Sequence, residues 1–346
     1  MTVTRADVAR KAGVSSAVVS YVVNNGPRPV SLETRARVQK AILELGYRPN
    51  AIASALRGGA TRSIGFLTPN PRNAYHAQLA EAVERAFLAE GYLVLTGNTY
   101  YDRTREERLL KTFLDRKVDG LLLASGSTVT TPLPPELSDV PVVLLDDIPA
   151  AGAGVTSVSW DGAADAAKAV DHLQGHGHRL IAHIAGPPHL RGEESKTRGW
   201  QQQQLSRQHP AGDELVAFAD LSEEGGSSAA ALLLGARGRP TTLHEQRPSA
   251  VFVSSDVQGI GAISACYQLG LHIPGDVAVI SLGGTKAASF AHPPLTTVRH
   301  DFDHLAEITA GRLLALIKDP GRVIPSLQER GNLVVGESCG CPRPSR

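Results

Sequence analysis

From Ser63 onward the chain alternates short aliphatic runs with amphipathic stretches, and this alternation limits the possible folds more than any other feature. "SIGFLTP", "YLVLTGN", "GLLLASG" and "PVVLLDD" are near-continuous apolar runs of strand length, the pattern of strands buried on both faces. Helical segments such as "AQLAEAVERAFLAEG" and "REERLLKTFLDRK" separate them. A second series repeats the pattern with "RLIAHIAGP", "ELVAFAD", "SAVFVSSD" and "DVAVISLGG", followed by a long helix, "DFDHLAEITAGRLLALIKD", and a closing strand in "ERGNLVVGES". Parallel strands joined through helices must be covered on both faces. Two series of similar size therefore predict an α/β core of two doubly wound parallel-sheet subdomains facing one another across a cleft. Ligands in such folds sit beyond the carboxyl ends of the strands.

The first sixty residues have another character. In "AGVSSAVVSYVVNN", Val18, Val19, Val22 and Val23 are β-branched and favour a strand on local propensity. The punctuation favours a helix: Gly13 can turn the chain sharply, Ser15 stands at an N-cap, and Asn24-Asn25-Gly26-Pro27 forms a stop. As a helix, Val19, Val22 and Val23 face Val8 and Ala9 of the preceding segment. Ser16, Ala17, Ser20, Tyr21 and Asn24 then face outward. Ala9, Gly13 and Val19 occupy the small-contact, turn and core positions of a helix-turn-helix. A third helix follows in "SLETRARVQKAILELGYRPN", with Ser31 as cap, an apolar stripe of Val38, Ala41, Ile42 and Leu45, and Gly46 as terminator. "RPNAIASALRGG" predicts a further helix of about two turns, too short to be stable without a partner or DNA.

The net charge of +1 hides an asymmetry. Residues 1–60 hold nine Lys/Arg against three Asp/Glu, while the rest hold 26 against 31. A basic module ahead of a mildly acidic body fits a nucleic-acid contact confined to the N-terminus. No apolar run reaches transmembrane length and polar residues follow Met1, so neither a membrane segment nor a signal peptide is expected, and the expected location is the cytoplasm, on the nucleoid when DNA is bound. Three cysteines cannot build a disulfide framework; Cys266 falls in a helix, and the CxC of Cys339 and Cys341 reads as an incidental reduced tail. His172, His176, His178 and His183 fall at a helix end, a turn and the next strand, and read as structural. No G-x-G-x-x-G follows any of these strands, no P-loop occurs, and no G-x-S-x-G marks a nucleophile elbow. The expectation is no catalytic residue, no metal and no cofactor.

"DVARKAGVSSAVVSYVVNN", "SLETRARVQKAILELGYRPN", "ALR", "HLQGHGHRLIAHIAGP", "SSDVQGIGA" and "HPPLTTVRHDF" together resemble the LacI/GalR family of bacterial transcription regulators over nearly the whole chain. The resemblance implies a helix-turn-helix headpiece over 1–48, a hinge helix over 49–60 and a periplasmic-binding-protein-like core over 61–346. Within that core an N-subdomain takes about 61–160 plus 292–325, and a C-subdomain about 161–291 plus 326–346. It implies a homodimer or tetramer that binds a pseudo-palindromic double-stranded operator under control of a small molecule in the cleft. Repression is expected, with activation left open.

Carried over position by position, the DNA-contacting residues are Thr4, Ser15, Ser16, Ala17, Val18, Ser20, Tyr21 and Asn24. Ser16, Ala17 and Tyr21 would read bases, and Ser20 and Asn24 would lean on the backbone. Asn50, Ala53 and Leu56 belong to the hinge, with Leu56 as a wedge between base pairs. Val18 and Tyr21 stand where the family usually has Thr and Arg, which removes a bidentate guanine contact worth about 1–3 kcal/mol. The implied effector contacts are Asn73, Tyr75, His76, Asp146, Lys196 and Asp256, an aromatic stacking on a sugar ring while charged groups fix its hydroxyls. Lys196 replaces the family's Arg. "SLGG" stands where the family often has G-[FY]-D-D, so Gly283 and Gly284 lack both carboxylates. These departures leave room for a sugar or for a phosphorylated or anionic metabolite, with Lys196 supplying charge. Asp256 has an alternative role as a helix N-cap. Competing readings are a sugar-binding transport protein, and a cytosolic binding protein or enzyme using the same cleft.

Overall fold

The computed structural model describes residues 3–23, 28–47, 60–124, 137–145, 155–190, 192–235 and 247–341. The chain forms two compact units, Met1–Thr61 and Arg62–Arg346.

The first unit contains α1 (Arg5–Ala12), α2 (Ser16–Val23) and α3 (Leu32–Leu45). Thr4 and Asp7 form a capping box at the start of α1, and Gly13, at φ +66°, closes its end by donating to the carbonyls of Ala9 and Arg10. The valine-rich segment is helical because Val19 and Val22 are buried against Val8, Ala9, Ala12, Val38 and Ala41. Each buried valine contributes about 1.5–3 kcal/mol, which outweighs the few tenths by which β-branching disfavours a helix. Asn24 and the hinge residues Asn50, Ala53 and Leu56 lie outside the described residues.

In the second unit, β1 (Ser63–Thr68), β2 (Leu93–Asn98), β3 (Gly120–Leu123), β4 (Val142–Leu145), β5 (Thr156–Trp160) and β11 (Leu327–Glu329) form a parallel sheet in the order β11-β5-β4-β3-β1-β2. Alternation along its strands separates two cores. Ile64, Phe66 and Leu122 pack on α4 (Ala74–Ala89) and α11 (Phe302–Lys318), while Leu67, Leu121 and Leu123 pack on α5 (Arg103–Asp115). A second sheet contains β6 (Ile181–Ala185), β7 (Val216–Phe218), β8 (Ala250–Val253), β9 (Ala278–Gly283), β10 (Thr296–Arg299) and β12 (Asn332–Val334), in the order β12-β10-β9-β8-β6-β7. Only β12 in this sheet runs antiparallel, against β10. Helices α6 (Gly162–Gly175) and α7 (Glu193–Ser206) cover one face, and α8 (Glu223–Leu234) and α9 (Asp256–Gln268) cover the other. A single turn, α10 (Lys286–Ser289), follows β9.

The chain changes sheets between β5 and α6, between β10 and α11, and between β11 and β12. This differs from the expected subdomain limits at 292 and 326. Thr296–Arg299 pair with Ile280–Gly283 in the second sheet, and Leu327–Glu329 pair with Val158–Trp160 in the first. Both strands are short and polar, so hydropathy does not mark them.

Helices α8 and α9 touch backbone to backbone. A Cβ at Gly226 would overlap the Gln258 carbonyl, and one at Gly261 would overlap the Glu223 carbonyl. Gly261→Ala should therefore lower stability by about 1–3 kcal/mol through overpacking. Gly311→Ala on α11, where a Cβ meets nothing within 4 Å, should be neutral or stabilising by up to about 1 kcal/mol. Thermal melts of the two variants check this; equal shifts would show that α8 and α9 can slide apart freely.

Candidate functional site

In the N-terminal unit, Ser15, Ser16 and Ala17 are exposed at the start of α2, and Val18, Ser20 and Tyr21 are half-buried along it. Ser15 Oγ accepts from Val18 N–H at 3.4 Å, so its hydroxyl serves as the cap. Thr4 is likewise a cap, its Oγ1 accepting from Asp7 N–H at 3.4 Å. The first turn of α2 carries no acidic residue, which leaves the positive end of the helix uncompensated by its own side chains.

In the core, the strand ends converge on one cavity of about 120 Å³, lined by residues from both sheets. That is room for about ten water molecules, the scale of a small polyol. The N-cap and first turn of α4, after β1, bring Asn73, Tyr75 and His76, the end of β5 brings Ser159 and Trp160, and α7 brings Glu193, Ser195 and Lys196. Ser254 follows β8, Gly283 ends β9 and His300 follows β10. Asn73 Oδ1 caps α4 by accepting from Tyr75 N–H at 2.9 Å, so its amide nitrogen is the group it has left to offer.

An aromatic plate forms the floor. The rings of Trp160 and His300 are stacked at 4.2 Å and 9°, and Tyr75 stands edge-on to His300 and to Phe302. His300 Nε2 pairs with Asp165 Oδ2 at 3.0 Å, and Asp165 Oδ1 accepts from Gly331 N–H at 2.9 Å. His76 contacts Tyr101 Oη at 3.3 Å. Burial, with the Lys196 charge nearby, pushes the His76 imidazole down to about 4, so it is neutral at physiological pH. His76 Nδ1, Ser159 Oγ, Trp160 Nε1 and His300 Nδ1 are buried with no hydrogen-bond partner among the described residues. Leaving such a group unpaired costs about 1–3 kcal/mol, so a ligand carrying several hydroxyls gains by pairing them.

Lys196 departs from its expected role as a free cation. Its Nζ lies 2.6 Å from Glu193 Oε1 and donates to the Ser254 carbonyl at 3.3 Å. Burial by itself would raise the Glu193 carboxyl, but the Lys196 ammonium and the hydrogen bond from the Gly186 N–H hold it below its usual range. The pair is neutral as a unit.

Asp256 also departs from expectation. The N-cap of α9 is Ser255, and the Asp256 carboxylate accepts from Ser281 Oγ at 2.6 Å, Thr285 N–H at 2.6 Å and Thr297 Oγ1 at 2.8 Å. It borders a separate small recess rather than the main cavity. A side chain on Gly283 would press on Asp256 Oδ2 and one on Gly284 would overlap Arg299, so the double glycine lets the chain close over this carboxylate. Asp146 lies outside the described residues.

The cavity thus unites Asn73, Tyr75, His76 and Lys196 from the sequence reading and adds Ser159, Trp160, Glu193, Ser195 and His300. The strand-end rule would have nominated Ser159, Trp160 and His300, had β5 and β10 been legible as strands. Of the four histidines, His178 bonds Ser249 and His183 stacks between Phe252 and Trp200, whereas His172 and His176 both meet the C-terminal cysteines.

Residues 4–50 match the family described as bacterial regulatory proteins, lacI family, and residues 170–339 match a periplasmic binding protein-like domain. The ribose operon repressor of Escherichia coli (strain K12) is 33% identical over 348 residues, covering 95% of this chain and 99% of the relative. The chain belongs to the lacI family. It is a DNA-binding transcriptional regulator controlled by a small-molecule effector. Catabolite control protein A of Priestia megaterium is 33% identical over 86% of this chain and 87% of its own length. Among solved structures, the lac repressor dimer bound to operator and an anti-inducer superposes with a TM-score of 0.86 at 26% identity, covering 98% of this chain and 99% of that one. The regulator CelR in complex with cellobiose does so at 0.71 and 27%, over 97% and 99%.

Lys196→Met, which strands the Glu193 carboxylate, should cost about 3–5 kcal/mol, while Lys196→Met combined with Glu193→Gln should recover most of that loss. Denaturant melts of the cycle check it; additive losses would show the two charges act independently. Asp256→Asn replaces a carboxylate holding three donors with a single acceptor oxygen. It should lower stability by about 2 kcal/mol, and an unchanged melting temperature would show that the three donors find other partners.

Proposed function

We propose that this regulator is a repressor that grips a pseudo-palindromic duplex operator as a dimer, and that a neutral polyhydroxylated ligand, of the sugar class, adjusts that grip from the core cavity. The observation that carries the effector class is the combination of a stacked aromatic plate, unpaired buried polar atoms around it, and a Lys196 charge already cancelled by Glu193. A sugar ring offers an apolar face to stack and hydroxyls to pair, whereas an anionic or phosphorylated ligand would need a cation that this cavity has already neutralised. The relatives named for a ribose operon and solved with cellobiose support the same class. Neutral His76 and the charge-paired Glu193 favour binding over turnover, so the cavity is read as regulatory rather than catalytic. Action on chromosomal DNA places the protein in the cytoplasm.

At the DNA, Ser16, Ala17 and Tyr21 are the base-reading candidates, since they sit at the start and along the half-open face of α2, while the hydroxyls of Thr4 and Ser15 cap helices and position the unit. Dimers of such motifs read two half-sites with matching symmetry.

A panel of neutral sugars and sugar phosphates, titrated against footprinted operator DNA, tests the proposal. A neutral sugar should shift operator affinity, and Trp160→Ala should weaken that ligand by at least about tenfold without moving the footprint. Tyr21→Ala should relax base preference at one position per half-site. Response only to a phosphorylated ligand would overturn the effector class, and the absence of a discrete, symmetric footprint would overturn the mode of DNA binding.

A further inference from the structure

His172 and His176 lie one turn apart near the end of α6, and the last described residues of the chain run against that turn. Gly340, at φ +94°, bends Cys339-Gly340-Cys341 so that both thiols meet the two imidazoles. His172 Nε2 lies 3.2 Å from Cys339 Sγ and 3.6 Å from Cys341 Sγ, and His176 Nε2 lies 3.1 Å from Cys341 Sγ. All four donor atoms fall within 4.8 Å of one another. Read separately along the sequence, the histidines and the CxC are incidental; the fold closes them into one cluster across more than 160 residues.

We propose that His172, His176, Cys339 and Cys341 form a structural zinc(II) site that fastens the C-terminal segment to α6. Zinc bonded to sulfur at about 2.3 Å and to nitrogen at about 2.0–2.1 Å in a tetrahedron sets its donors about 3.3–3.8 Å apart. The three His–Cys separations lie within a few tenths of an ångström of that range, and the widest separation in the cluster, up to 4.8 Å, closes by about 1 Å on binding. Two thiolates and two imidazoles with no carboxylate suit zinc and exclude magnesium and calcium. Four protein donors fill the tetrahedron, which is the mark of a structural site rather than a catalytic one.

The surroundings are built to hold the ligands. Thr296 Oγ1 donates to Cys339 Sγ at 3.0 Å. Ser338 Oγ donates to the Val279 carbonyl at 2.6 Å and accepts from Thr296 N–H at 2.8 Å, anchoring the residue before the first cysteine to β9 and β10. Cys339 is buried while His176 is exposed, so the metal has an entry path from solvent. Each thiol releases its proton to solvent on binding, so zinc affinity rises with pH.

The full-length protein, purified under reducing conditions, exchanged into zinc and freed of excess, should retain one zinc per chain by elemental analysis. With cobalt(II) in its place it should show thiolate-to-metal charge-transfer absorption and tetrahedral ligand-field bands. Chelator should lower the melting temperature. The solvent-facing variants His176→Ala and Cys341→Ser should fold, bind zinc at least about 100-fold more weakly, lose the cobalt–thiolate band and melt identically with and without chelator. Cys266→Ser, outside the cluster, should keep wild-type zinc stoichiometry and the cobalt–thiolate band. Failure of the reduced, zinc-treated protein to retain metal, wild-type zinc affinity in Cys341→Ser, or an intact mass showing a persistent Cys339–Cys341 disulfide would each overturn the proposal.

Discussion

One buried carboxylate holds the core at the place where the chain changes sheets. Asp165 sits on the first turn of α6, just past the first crossing, and reaches His300 at the second crossing and Gly331 at the third. Lys168, one turn on, donates to the Gly331 carbonyl, and Asp161 N–H donates to the Glu329 carbonyl at 2.7 Å. A fully buried carboxylate is tolerated only when its oxygens are occupied, and here the occupants are the crossings themselves. The same contact fixes the His300 ring, against which Trp160 stacks. The groups that join the two lobes therefore also form the floor of the cavity, and on the proposed function a ligand resting on that floor would press on the joint.

The charge pattern of the cavity bears on selectivity. Lys196 and Glu193 cancel, and His76 is held neutral. For the proposed effector, recognition by the described residues would fall to stacking and to individual hydrogen bonds, and such a site discriminates mainly by leaving its own polar atoms unpaired when the wrong analogue enters. Loss of one matching hydroxyl is punished more than addition of a methylene.

Much of this architecture was legible because the strands of parallel sheets advertise themselves. Leu121–Leu123 and Val142–Leu145 are aliphatic on both faces, and all are buried. β5 and β10 were not legible, since Thr156, Ser157, Ser159, Thr296 and Thr297 are polar residues buried within strands. Ser157 N–H donates to Ser326 Oγ, and Thr297 Oγ1 donates to Asp256. Hydrogen bonding of this kind depends on residues far along the chain, which local hydropathy does not register. The missed strands carried the missed site residues with them, namely Ser159, Trp160 and His300. Asp256 shows a related limit of local reading. A carboxylate after a strand looks the same in sequence whether it faces the cleft or, as here, turns into the sheet. The valines of α2 were read as helical from their flanking cap and stop residues, where propensity pointed to a strand. The partnership of His172 and His176 with two cysteines near the C-terminus is invisible to spacing rules, which work over tens of residues.

The two tryptophans of the chain occupy opposite environments. Trp200 is locked in the second lobe, 1% exposed, with its indole N–H donating to the Ile181 carbonyl at 3.1 Å. Trp160 lines the cavity, π-stacked on an imidazole, with its N–H unclaimed among the described residues. One indole is thus sealed away from the cavity and the other stands in its wall, so a molecule entering the cavity would change the surroundings of Trp160 alone, an optical signal readable without a label.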